Sequence, residues 1–405
     1  MNVATDGADL ARAEAWGAEA IAAVTLCFAV NMVDGTDVTI LSYVAPVLQQ
    51  SWSIDADTMG TVFSAGLLGM ALGGVCVAPL ADRFGRRPLI LTALVLMSGG
   101  MIASGFVASV SALIAARIGV GVGIGTVLAA MAALAAEVAP PRQQNFAVGV
   151  VQAGYPLAAV FTGLVVARLL PSTSWQPLLL YAGIVTLVML PLAALALTES
   201  RALGAAGRSV RTLPIAALFG ADIARKTLLL FTAIFMGLMV LYIIVSWITN
   251  LAIVAGLSTR DGIYAGALYN LGAFVGTVAM SVVSVRVALT RLVPALFAAA
   301  IAALLVFGSI ALPVGATLGV AFLIGVTLQG GYNGIWPLAA AIYPPEIRAT
   351  GIGWAVGIGR SGAVVGPAAA GALLARGTPL LLLFALFCVP LAVAAAAVWQ
   401  IGRKA

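Results

Sequence analysis

The chain has 405 residues, of which 62% are hydrophobic and 8% charged, with a net charge of +6. Soluble domains carry roughly 25% charged residues, so this composition excludes a water-facing surface over most of the chain and makes a lipid bilayer its solvent. The basic excess does not point to a nucleic-acid partner, because the Lys and Arg residues lie between apolar runs and form no continuous patch.

In chain order, residues 1–19 carry Asp6, Asp9, Glu14 and Glu19 against Arg12 alone. A signal peptide wants a basic start, so this segment is expected to be a cytoplasmic tail. Twelve apolar stretches follow, each long enough to cross ~30 Å of hydrocarbon as about 20 helical residues. They run over 20–48, 58–80, 88–109, 111–136, 145–170 and 177–197, then 227–256, 262–285, 292–312, 315–342, 351–375 and 378–401. The runs are continuous and do not alternate, which predicts helices and not a barrel.

Fifteen of the 20 Lys and Arg fall on connections of one side, and only Arg168, Arg260 and Arg376 on the other; Arg117 and Arg360 lie inside helices. That bias places both termini in the cytoplasm. The longest polar connection, 199–226, divides the chain into a bundle at 20–198 and another at 227–401, with a tail at 402–405. The halves repeat: Pro140-Pro141-Arg142 returns as Pro344-Pro345 with Arg348, an offset of 204 residues, and the basic loop at Arg83 returns at Arg286, an offset of 203. Near-equal offsets predict an internal duplication. Two six-helix bundles facing each other across a central path is the architecture of alternating-access carriers.

Without histidine, and with Cys27, Cys76 and Cys388 scattered through apolar runs, the usual metal sites and nucleophile–base arrangements are unavailable. We expect no catalytic residues, no metal and no cofactor; an intramembrane enzyme is disfavoured. The partners implied are the bilayer, a small solute and protons, with no obligate protein partner evident.

A charged side chain at mid-helix costs roughly 2.5–3.5 kcal/mol on insertion scales, and four residues bear that cost: Asp34, Asp37, Arg117 and Arg360. Asp34 and Asp37 are three apart and share a helical face. Two carboxylates so close in a low dielectric cannot both stay ionised cheaply, which makes one of them the candidate proton carrier. A structural role, with Asp37 neutralised by Arg117, is the alternative. Arg117 would switch between these acids and the solute, or hold two helices together as a permanent pair. Arg360 has no acid near mid-membrane in its own half, so it is expected to bind an anion, and guanidinium grips a carboxylate bidentately; pairing with Asp34 across the cavity is the alternative. Tyr155, Tyr242, Trp247, Asn270, Gln329, Tyr332, Asn333, Trp336 and Trp354 lie at depths suited to stacking an aromatic ring and to hydrogen bonding, although Tyr and Trp also serve as packing. Of these, Tyr332 and Trp336 are four apart on one face.

PLADRFGRR (79–87) resembles the loop between the second and third helices of the major facilitator superfamily, with Ala78 where that pattern usually has Gly and Val285 where the second copy would have Asp. Arg117-(x)3-Gly-x-Gly-x-Gly resembles the family's fourth-helix motif. Within the superfamily the chain resembles the aromatic acid:proton symporters, through DGTD (34–37), Tyr43, Ala45-Pro46, SWITN (246–250, with Thr249 where those proteins tend to have Pro) and YPPEIRATGIGWAVGIGRSGAVVGP (343–367). The resemblance implies an all-α membrane protein of twelve helices in two pseudo-symmetric bundles. It also implies proton-coupled import of a small aromatic carboxylate, and a gating latch of charges at Asp82, Arg83, Arg86 and Arg87, with Glu137 and Arg142 as a matching one. Proton-antiport efflux of small organic compounds, or a carboxylate sensor that does not transport, are the competing readings.

Overall fold

The computed structural model describes residues 16–80, 84–140, 143–197, 215–220, 223–309 and 312–403, apart from a few side chains within them. Twelve helices among them are long and apolar enough to cross a membrane. In the first half these are α1 (Ala18–Trp52), α2 (Ala56–Leu80), α3 (Arg86–Phe106), α4 (Val110–Val138), α5 (Gln144–Leu169) and α6 (Trp175–Ala196). The second half has α7 (Ala224–Val254), α8 (Thr259–Val283), α9 (Leu289–Ser309), α10 (Val314–Ile342), α11 (Pro345–Ala375) and α12 (Leu380–Ile401). The ends follow the expected spans within a few residues, except that α11 begins six residues early, at Pro345. Proline suits that place, since the first turn of a helix does not need its N–H.

Local chemistry sets the turns. The Asp55 carboxylate caps α2 by accepting from the Thr58 N–H at 2.9 Å, and the Thr58 hydroxyl together with this N–H holds its carboxyl below the usual range. Ser109 and Ser258 cap α4 and α8 in the same way. Lipid offers no hydrogen bonds, and mid-helix Thr39, Thr126, Thr186 and Thr277 return their hydroxyls to the carbonyl four residues earlier.

The duplication is visible in the packing. A methyl added at Gly69 or Gly73 of α2 would sit 2.3 Å from the Ile118 carbonyl or 2.1 Å from that of Val122 in α4, and one at Gly121 would sit 2.0 Å from the Gly66 carbonyl. The second half repeats this between α8 and α10: Gly272 meets the Phe322 carbonyl at 2.0 Å, Gly276 that of Val326 at 2.1 Å, and Gly325 that of Tyr269 at 2.0 Å. These glycines lie 203 or 204 residues from their counterparts. Small residues let backbones touch where lipid supplies no hydrophobic drive between helices.

The halves meet at the end of the bundle away from Ala18 and Ile401. There Ser42 Oγ donates to the Ser246 carbonyl at 2.8 Å, and Asn250 donates to Gln49. Ser64 Oγ of α2 donates to the Val364 carbonyl of α11 at 2.6 Å and accepts from the Ala368 N–H at 3.1 Å. Phe63 meets Trp247 edge-on, with ring centroids 5.2 Å apart. Trp247 and Thr249 of the SWITN segment are fully buried.

The glycine seams make a stability prediction. Gly272→Val should cost about 1–3 kcal/mol through overpacking and lower Tm in detergent, whereas Gly119→Val, where an added methyl meets nothing within 4 Å, should leave Tm unchanged. Equal Tm values for the two variants would mean that α8 and α10 do not touch there.

Candidate functional site

With the far end closed, the space between the halves widens toward the end that carries Ala18 and Ile401. A cavity of about 900 Å³ lies there. Its wall comes from the middle of α1 and α7, from the early turns of α5 (Phe146 to Pro156) and α11 (Val356, Arg360), and from the later turns of α8 and α10.

Asp34 lies in this wall and is 1% exposed; both carboxylate oxygens lack a hydrogen-bond partner. Arg360 faces the same space from the other half, and it is the cation whose charge acts on Asp34. The two are further apart than the 4 Å of a direct ion pair, and the ion pair that does form between described residues joins Arg86 to Glu137. Arg360 and Asp34 thus share the wall of one cavity without forming a direct ion pair.

Asp37 is not part of the cavity wall. It is fully buried inside the first bundle, where the Thr186 hydroxyl lies 3.5 Å from each of its oxygens and Arg117 is the cation that acts on it. Three residues on a helix turn about 300°, so the two acids stand on opposite edges of one face: Asp34 toward the cavity and Asp37 toward α4 and α6. Arg117, 4% exposed, donates to the Asp37 main-chain carbonyl at 3.0 Å and to Met101 Sδ at 3.0 Å, tying α4 to α1 and α3. It also lines a separate cavity of about 30 Å³ with Phe63, Gly66, Tyr242 and Ser246.

Of the residues expected to hold a solute, Arg360, Tyr155, Tyr242, Tyr332, Trp336, Gln329 and Asn333 all lie along the large cavity. Tyr332 and Trp336 form an edge-on pair with centroids 6.0 Å apart. Gln329 donates to Asn333 at 3.3 Å, and Asn333 to Thr277 of α8 at 2.8 Å. Asn270 also lies along that cavity. Two tryptophans correct the sequence expectation. Trp247 is fully buried in the far-end seal, against Phe63 and the Pro367 carbonyl. Trp354 is 47% exposed on the outer surface of α11, because six residues at about 100° each put it about 120° around the helix from Arg360.

Four polar residues of the cavity escaped the sequence reading: Asn31, Gln152, Thr277 and Ser281. Asn31 donates to Gln152 at 3.2 Å, joining α1 to α5, and Thr277 receives Asn333. The signal for Asn31 was its spacing, one turn before Asp34 on the same face.

Among the gating candidates, Arg86 pairs with Glu137, and Arg87 donates to the Ala194 carbonyl at 2.7 Å. These bonds join α3, α4 and α6 within one half. Asp82, Arg83 and Arg142 lie outside the described residues.

The sequence profile of the Major Facilitator Superfamily matches residues 27–367. The chain belongs to the Major Facilitator Superfamily. It is 31% identical to the 4-hydroxybenzoate transporter PcaK of Pseudomonas aeruginosa, over 93% of this chain and 91% of that protein. It is 32% identical to the 3-(3-hydroxy-phenyl)propionate transporter of Escherichia coli, over 88% and 87%. A gallate transporter of Pseudomonas putida is 28% identical over 94% and 91%. Among solved structures, a D-xylose–proton symporter superposes with a TM-score of 0.78 at 15% identity, covering 95% of this chain and 98% of that one. A bacterial homologue of the human lysosomal transporter Spinster gives 0.77 at 18%, covering 95% and 96%. This facilitator is a transporter by family and by its relatives, and its chemistry is translocation and not catalysis.

The asymmetry between the two ends makes a labelling prediction. With Cys27, Cys76 and Cys388 changed to Ser, Ser281→Cys in the cavity wall should react rapidly with a membrane-impermeant maleimide from the side of the termini. Ser42→Cys in the far-end seal should react at least about tenfold more slowly from either side. Equal rates would show the far end to be open.

Proposed function

We propose that this protein imports a small aromatic carboxylate together with protons, by alternating access, and that it does so across a bacterial inner membrane with both termini in the cytoplasm. The observation that carries the reading is the pairing of one guanidinium, Arg360, with one unpartnered carboxyl group, Asp34, across a cavity of about 900 Å³. The relatives named as transporters of 4-hydroxybenzoate, gallate and hydroxyphenylpropionate support the solute class. The excess of Lys and Arg at the end of the termini supports the orientation.

Coupling follows from counting charges. In the empty carrier Asp34 and Arg360 balance each other's charge across the cavity. A carboxylate solute that docks bidentately on Arg360 takes over that positive charge. Asp34 then faces an anion in a low dielectric and holds a proton instead. Solute and proton therefore favour each other's binding, the condition for symport. The rings of Tyr155, Tyr242, Tyr332 and Trp336 supply faces and edges for an aromatic ring. Proton entry also offsets the solute's negative charge, so an inward proton gradient can drive uptake against an interior-negative potential.

Alternating access then requires the far-end seal to part while the end with the termini closes. Asp37 and Arg117 would keep the first bundle rigid during this motion, and the Arg86–Glu137 pair would hold α3 to α4.

The test is uptake of radiolabelled 4-hydroxybenzoate into proteoliposomes under an inward proton gradient. Wild type should accumulate it, and Arg360→Lys should raise KM at least about tenfold, since a point charge lacks the fork that matches a carboxylate. Asp34→Asn should keep solute exchange but lose gradient-driven accumulation. Accumulation by Asp34→Asn would remove that residue from coupling, and efflux driven by an opposing proton flux would reverse the direction.

A further inference from the structure

Asn31 is a buried amide with an unmet need. It is 2% exposed, its Nδ2 donates to Gln152, and its Oδ1 has no hydrogen-bond partner. A buried acceptor left unpaired is destabilising, and one that borders a cavity can be completed by what enters it. Asn31 stands in the wall of the large cavity, one helical turn from Asp34, or about 4.5 Å along the axis.

We infer that Asn31 is the receptor for a ring hydroxyl, and that the preferred cargo is therefore a hydroxylated aromatic acid over its unsubstituted parent. The inference rests on the reading that Arg360 takes the carboxylate, and it adds where the other end of the molecule goes. An orphaned acceptor calls for a donor. A hydroxyl is donor and acceptor at once, so it satisfies Asn31 whichever way the amide is turned. A second carboxylate would offer only acceptors and would face Asp34. A methyl or halogen substituent would leave the amide as it was. The neighbouring polar group of the second half is a poorer receptor: Gln329, Asn333 and Thr277 already bond to one another, and Thr277 returns its hydroxyl to the Ala273 carbonyl.

A site that hydrogen-bonds a substrate hydroxyl rejects the analogue lacking it, because the protein group is then left unpaired. The experiment measures KM for 3-hydroxybenzoate, 4-hydroxybenzoate, benzoate and 4-methylbenzoate in proteoliposomes. Wild type should favour at least one hydroxybenzoate over benzoate and 4-methylbenzoate by about tenfold or more, and Asn31→Leu should bring that ratio close to one. Gln152→Leu removes the tether of Asn31 but not its carbonyl oxygen, and it should keep the preference. Equal KM values in wild type would overturn the inference while leaving aromatic acid import intact. A uniform loss for all four acids in Asn31→Leu, matched by Gln152→Leu, would reduce Asn31 to a packing residue. Failure of wild type to move any of the four would remove the import reading, and this inference with it.

Discussion

A charge inside a bilayer must find its counterpart inside the protein, and the rest of this structure depends on how four such charges are divided. Asp37 and Arg117 are placed together within the first bundle, where they bind helices α1, α3, α4 and α6 into one body. Asp34 and Arg360 are placed on different halves with a cavity between them. Nothing in the structure separates the members of the first arrangement. In the proposed mechanism the second would be conditional, because a carboxylate that enters the cavity would compete for the same guanidinium.

Glycine sets the contact surfaces both within and between the halves. Within each half, glycines bring α2 against α4 and α8 against α10 so closely that a single methyl would collide with backbone. Between the halves, α2 and α11 meet in the same way: a methyl at Gly60 would sit 2.7 Å from the Pro367 carbonyl, and one at Gly371 2.4 Å from that of Ala56. Hydroxyls and amides add bonds between the halves: Ser42 to Ser246, Ser64 to α11, Gln49 with Asn250. Neutral hydrogen bonds contribute about 1 kcal/mol net each, so the far-end seal rests on packing as well as on these bonds.

The span positions and the bundle architecture were legible in the sequence, because a bilayer demands about 20 apolar residues for each crossing and tolerates few charges within them. The same intolerance made Asp34, Asp37, Arg117 and Arg360 conspicuous. What the sequence concealed was rotation. Trp354 shares the depth of its cavity neighbours but not their azimuth, and depth is all that hydropathy reports. Asp34 and Asp37 share a broad face yet serve different compartments. In α10 a π-helical turn at Gly325–Gln329 inserts extra backbone just before Tyr332, Asn333 and Trp336, which shifts the phase that a regular helix would give. Ser64 was silent for another reason: short neutral polar side chains are common in membrane helices, and only its partners reveal what it does.

Ser64 has a consequence of its own. Its hydroxyl engages the Val364 carbonyl and the Ala368 N–H, the two groups that a regular α-helix joins to each other, beside Pro367. The opposite half of the protein thus holds α11 by its own backbone, beside a proline that leaves one rung of that helix unmade. In the proposed alternating-access motion, parting the halves would withdraw both Ser64 bonds, so the seal and the turn of α11 that follows Arg360 would change together.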